Sequence, residues 1–128
     1  MSEMSNYLEN ALINVTLRGT GFTAVSTPYV ALFTSDPTDA GSGTEVSGGS
    51  YARTSATFGA PSNGVSVTSA DVTFPQATAS WGTVGWIGIY DASTAGNLLY
   101  HTPLDASKTI DTGDIFKIAS GNLSVTLA

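Results

Sequence analysis

The chain contains no cysteine. Disulfides, thiolate metal sites and cysteine nucleophiles are therefore excluded, while the redox compartment stays open. Charge is scarce: 11% of residues are charged, where about 25% is usual for soluble domains. The basic residues are Arg18, Arg53, Lys108 and Lys117, dispersed along a chain of formal charge −6. Binding to a nucleic-acid backbone needs clustered Lys and Arg, so no nucleic-acid partner is expected. There is one histidine, His101. No apolar run approaches the length of a membrane-spanning helix. The N-terminal stretch MSEMSNYLEN has acidic residues where a secretory signal would be basic. Folding in a cytoplasm with no membrane partner is expected.

What the chain does have suits a compact β domain. Its 128 residues fit one domain, 1–128, whose core needs no covalent staples. Hydrophobic content is 41%, which with low charge argues against disorder. Ser and Thr make up about a quarter of the residues, well above average usage. Thr favours strands, and Ser and Gly favour turns. A surface so poor in charge also suits a subunit covered by neighbours.

One helix is expected, over 5–18. Ser5 or Asn6 can cap it, and Asn6 with Glu9 has capping-box spacing. Leu8, Ala11, Leu12 and Val15 fall on one face. Arg18 suits the C-terminal dipole, and Gly19 can take the left-handed stop. So short a helix needs a surface to pack on: its own domain or a partner subunit.

From 27 to 128 the pattern is β. Tyr29–Thr34 is a run of strand formers after Pro28. The segment 35–50 is a long Gly-rich loop, and loops of that length are functional or poorly ordered alone. Tyr51–Phe58 alternates like a strand. Asn63-Gly64 is a hairpin-turn signal. Short strands follow at Val65–Thr68 and Asp71–Phe74. The run Val84–Tyr90 is apolar on both parities, as in a central strand covered on both faces. Further strands are expected at Leu98–His101, Lys108–Ile110, Ile115–Ile118 and Asn122–Leu127. About eight short antiparallel strands with turns between them predict an all-β, jelly-roll-like β-sandwich carrying one N-terminal helix. No repeat of the kind that builds propellers, solenoids or fibrous shafts is present.

Catalytic signatures are lacking. His101 lies in a predicted strand beside Tyr100, and a hydrogen-bonded structural histidine is the expected role. No serine sits in a GxSxG context. Asp36, Asp39 and Glu45 make the loop the best place to look for calcium. Read as an EF-hand from Asp36, however, it has Gly41 in place but Thr38, Ala40 and Ser47 at ligand positions. No catalytic, cofactor-binding or metal site is expected, and the chain reads as a non-enzyme. Trp81, beside Gly82 and outside the strongest strand, is expected to be partly exposed. It is the residue on which a carbohydrate-binding reading would rest.

Four stretches carry a resemblance: YLENALI, LFTSDPTDAGSGTEVSGGSYAR, TFPQATASWGTVGWIGIYDA and GDIFKIASGNLSVTLA. Together they resemble a family of small virion proteins of tailed phages and prophages, often labelled tail fibre proteins. The resemblance spans nearly the whole chain and implies a virion subunit assembled in the bacterial host cytoplasm. A compact, repeat-free sandwich also resembles the decoration (cement) proteins of phage heads, by analogy of architecture. The leading expectation is thus a cement protein clamping the major capsid protein, as a homo-oligomer, dimer or trimer. The alternatives are a tail-associated subunit contacting tail proteins, or a carbohydrate-binding module. The candidate contact residues are Leu8, Leu12 and Val15 on the helix, Asp36, Asp39, Glu45 and Val46 in the loop, and Trp81. Removal of 36–49 is expected to spare the fold.

Overall fold

The structure, a computed structural model, describes residues 2–127. It is mostly β, with a single helix among these residues. No described helix is long and apolar enough to cross a membrane. The elements are β1 (Glu3–Met4), α1 (Asn6–Leu17), β2 (Tyr29–Phe33), β3 (Thr54–Ser55), β4 (Val65–Val67), β5 (Val72–Thr73), β6 (Gly82–Tyr90), β7 (Leu98–Ile110), β8 (Lys117–Ile118) and β9 (Ser124–Thr126). A five-stranded antiparallel sheet runs in the order β1-β7-β6-β2-β3, accompanied by the pairs β4-β9 and β5-β8. The sandwich-like, all-β expectation is borne out.

β6 is the centre of the large sheet, and its double-parity apolar pattern has the expected cause. On one side Val30, Leu32, Val84, Ile87 and Ile89 enter the main core, together with Val72, Phe74, Phe116 and Leu123 from the shorter strands and their flanks. On the other side Ala31, Phe33, Tyr90 and Leu98 form a second cluster, with Trp86 packed against it. Gly88 makes that second layer fit. A Cβ there would stand 2.9 Å from Leu98 and 3.0 Å from the Phe33 ring, closer than packed carbons tolerate.

β7 is longer than the sequence suggests. Two separate strands were expected, Leu98–His101 and Lys108–Ile110. The structure joins them into one strand through an irregularity: Val84 pairs with Lys108, but Trp86 pairs with Pro103. Residues 104–107 stand opposite Gly85 alone, and a bulge is where a strand tolerates proline. The alternating run Tyr51–Phe58 goes the other way. Only Thr54–Ser55 pairs as a strand, against Tyr29–Val30, because ladder partners and not alternation alone decide pairing.

The Asn63-Gly64 signal is realised: both residues have positive φ, and Ser62 and Val65 exchange backbone hydrogen bonds of 2.9 and 3.0 Å, as a two-residue hairpin turn requires. The helix expectation also holds. Ser5 is extended and its hydroxyl accepts from the Leu8 N–H at 3.2 Å. The same hydroxyl donates to the Leu98 carbonyl, and the Ser5 N–H donates to the Leu99 carbonyl at 2.9 Å. Ser5 thus caps α1 and pins its first turn to β7. At the other end Gly19 takes the left-handed conformation.

The 35–50 segment is organised throughout. Asp36 Oδ1 accepts from the Thr38 N–H at 2.9 Å, and Pro37 is fully buried. The chain then returns along β2: Thr34 N–H donates to Thr44 O, and Val46 N–H to Leu32 O, both at 2.9 Å. Val46 is buried in the main core. The loop therefore completes the outer edge of β2, and the expectation that 36–49 can be removed without harm to the fold is revised.

Candidate functional site

The lone histidine organises a convergence of polar side chains. His101 sits on β7 in register with Glu3 of β1, and its side chain is 5% exposed. Its Nε2 lies 2.7 Å from Asp39 Oδ1 and 3.8 Å from Glu3 Oε2. The Asp39 carbonyl accepts from the Asn6 N–H at 2.9 Å, which ties this loop residue to the start of α1. Glu3, Asn6, Asp36, Thr38, Asp39, Ala40 and His101 line a shallow cleft of about 450 Å³. As expected, His101 is a hydrogen-bonded strand histidine. The structure adds its partners: Asp39, singled out in the sequence as a loop carboxylate and candidate contact, and Glu3, which sequence reading missed. Nothing local signals that pairing, because the β1–β7 register joins residues from opposite ends of the chain.

A second cluster lies where the loop meets the main sheet. Arg53 Nε and Nη2 each donate to Glu45 at 2.9 Å. Arg53 Nη1 reaches the carbonyls of Ala92 at 3.1 Å and Ala95 at 2.7 Å. The guanidinium lies 3.7 Å over the Tyr90 ring. Tyr51 donates to Glu45 Oε2 at 2.6 Å and accepts from the Leu32 N–H at 3.0 Å. Burial, reinforced by the Glu45 carboxylate, pushes the Tyr51 phenol well above its ordinary range. Burial opposes the charge of Arg53, but the hydrogen bonds and attraction to Glu45 outweigh it and raise that group too. Bidentate Arg–carboxylate pairs are among the strong polar contacts. Here the pair fastens the loop to the 91–97 connection.

The candidate contact residues fall into two groups. Leu8 and Val46 are buried in the chain's own packing, and Glu45 is committed to Arg53 and Tyr51. Trp81 corrects the expectation of partial exposure: it is 4% exposed. Its indole N–H donates to the Gly49 carbonyl at 2.9 Å, and its ring meets Tyr51 edge-on at 5.4 Å. Gly49 and Gly82, both with positive φ, let the chain fold closely around it. With Trp81 inside, the carbohydrate-binding reading loses the residue it rested on.

On the surface remain Asp36 and Asp39, and on the helix Val15 with the half-buried Leu12. They have unforeseen company: Ile13 is 53% and Leu17 79% exposed, and Tyr7 is also exposed. Past its first turn, the helix carries an apolar flank that its own domain does not cover.

No curated protein sequence matches the chain. Residues 3–126 match the family model described as podophage GP4 fiber I protein gp80. That span takes in β1, the helix, the loop, both core layers and β9, so the likeness belongs to the whole fold, and the chain belongs to this family of tailed-phage virion structural proteins.

Proposed function

We propose that this protein is a tail-associated subunit of the phage particle, a fibre component or adaptor that works by holding neighbouring virion proteins together. The observation that carries the reading is the match of residues 3–126 to a family described as a fibre protein. It favours the tail over the head, and the capsid-clamp reading, which rested on architecture alone, gives way to it. A compact sandwich serves either place equally well.

The role is non-enzymatic. Contact is made through the apolar flank of α1, where Ile13 and Leu17, four residues apart on one face, are exposed. Two adjacent exposed apolar side chains on one short helix are of the kind a partner subunit covers in an assembly. The subunit acts as a homo-oligomer, dimer or trimer, in keeping with the rotational symmetry of virion parts.

Immunogold labelling of intact particles, with a cryo-EM map of the tail, tests this directly. Label on the tail, at a copy number that is a small multiple of the tail's symmetry, is the expected result. Label spread over the head, with a copy number that scales with the capsid shell, would overturn the tail assignment in favour of the clamp.

A further inference from the structure

We propose that Glu3, Asp39 and His101 form a binding site for a divalent metal ion of the zinc type, one that staples the N-terminal strand and helix to the sandwich. The ligand atoms of these three residues all lie within 4.8 Å of one another. They come from β1, the 35–50 loop and β7, three segments remote in sequence.

Three arguments support the site. The first is geometry. Zinc bonds to nitrogen and oxygen are roughly 2.0–2.1 Å, so donors around a tetrahedral ion stand about 3.3 Å apart. The separations of 2.7 Å from His101 Nε2 to Asp39 and 3.8 Å to Glu3 bracket that value. Side-chain shifts of roughly half an ångström would bring both to it.

The second is electrostatics. Glu3, Asp36 and Asp39 all line the cleft, and no Lys or Arg does. Arg53 is spent on Glu45, and Lys117 is paired with Asp71 at 3.2 Å. Among the described residues, the cleft therefore has no Lys or Arg to offset converging carboxylates.

The third is chemistry and support. One imidazole with two carboxylates is a borderline donor set suited to zinc, whereas calcium wants six to eight oxygens. His101 is fixed by burial in β7. Asp39 is fixed by the hydrogen bond from Asn6 to its carbonyl. Three protein donors leave a position open for water or for a group on a neighbouring subunit.

The ion would strengthen an attachment that buries little apolar surface. α1 buries only Leu8 among its side chains, and the site lies at its first turn. The test uses the full chain, stripped with a chelator and titrated with zinc, calcium or magnesium. Readouts are calorimetry, bound metal per chain and the thermal midpoint. We expect one zinc per chain, a rise in the midpoint with zinc, and little response to calcium or magnesium. Glu3→Gln is the informative variant, because the Glu3 side chain is 68% exposed and its loss should not disturb folding. It should weaken zinc binding by at least the 10–100-fold typical of losing a supporting group, and Asp39→Asn should do the same. Cobalt(II) in place of zinc should give the intense visible bands of a low-coordinate site, and Glu3→Gln should weaken them. No stoichiometric uptake, or uptake that Glu3→Gln and Asp39→Asn leave unchanged, would overturn the proposal and leave a plain Asp39–His101 hydrogen bond.

Discussion

The 35–50 loop and helix α1 make opposite impressions in the sequence and in the fold. The loop is irregular, Gly-rich and long, yet it is fastened at every stage. Its return strand bonds to β2, Val46 enters the core, Glu45 holds Arg53 and Tyr51, and Gly49 receives the Trp81 indole. The helix is regular and well capped at both ends, yet only Leu8 is buried. Regularity of the backbone says how local hydrogen bonds are met; it does not say how much apolar area an element removes from water. In this protein the irregular segment is part of the core, and the regular one stands on the surface with apolar side chains to spare.

The sharpest way to break that comparison is at Trp81. If the loop belongs to the core, Trp81→Ala removes both a buried aromatic and the donor that holds Gly49. It should cost about 3–5 kcal/mol, as large-to-small aromatic changes do, and urea denaturation of the pure protein would measure it. A loss below about 1 kcal/mol would mean that the site collapses easily around the missing ring. It would also mean that the loop's last turn is held by other contacts.

How much of this was legible in the sequence depends on the range of the interaction. Ser5 as cap, Gly19 as stop, Asn63-Gly64 as turn and the double-parity run at Val84–Tyr90 are local features. Each was readable because the physics that fixes it acts within a few residues. Trp81 was misread for a related reason. Next to Gly82 and outside a strong strand it had the local marks of a surface residue, but Tyr51 and Gly49, which enclose it, lie some thirty positions away, as the hydrogen bond to Gly49 records. The candidate site is the extreme case. Asp39 and His101 were both singled out, but for separate roles, and Glu3 was not considered. The β1–β7 register that unites them has no signature in either strand. The continuity of β7 was missed because nothing local marks Leu98–His101 and Lys108–Ile110 as one strand joined across a bulge.

A smaller effect is expected where the helix is tied down. Ser5→Ala removes the cap on the Leu8 N–H and the donor to the Leu98 carbonyl together. A lost cap costs about 1 kcal/mol, reaching about 2 in the stronger cases, and the buried carbonyl left without its donor places this site toward the upper end. Because the damage is confined to the first turn, hydrogen exchange should quicken along α1 and at β1, while amides of β6 and β2 keep their protection. Uniform loss of protection would mean that α1 and the sandwich unfold as one unit, and the contrast between helix and loop would then be one of appearance only.

The smallest effect on stability, and the most telling for function, is expected on the outer flank of the helix. Ile13→Ser with Leu17→Ser changes side chains that stand largely in solvent, so the folding free energy should move by no more than about 0.5 kcal/mol. If that flank is where a neighbouring virion protein sits, the same double substitution should sharply reduce the amount of subunit recovered in purified particles. Apolar anchors that a partner covers carry much of the energy of an interface. Stability and incorporation therefore part company at these two positions, whereas at Trp81 they should fall together, because a subunit that does not fold cannot assemble. Normal incorporation of the double variant would move the contact surface away from α1. The exposed Asp36 and Asp39 at the cleft would then be the place to look next, since polar side chains converge on that open rim as well.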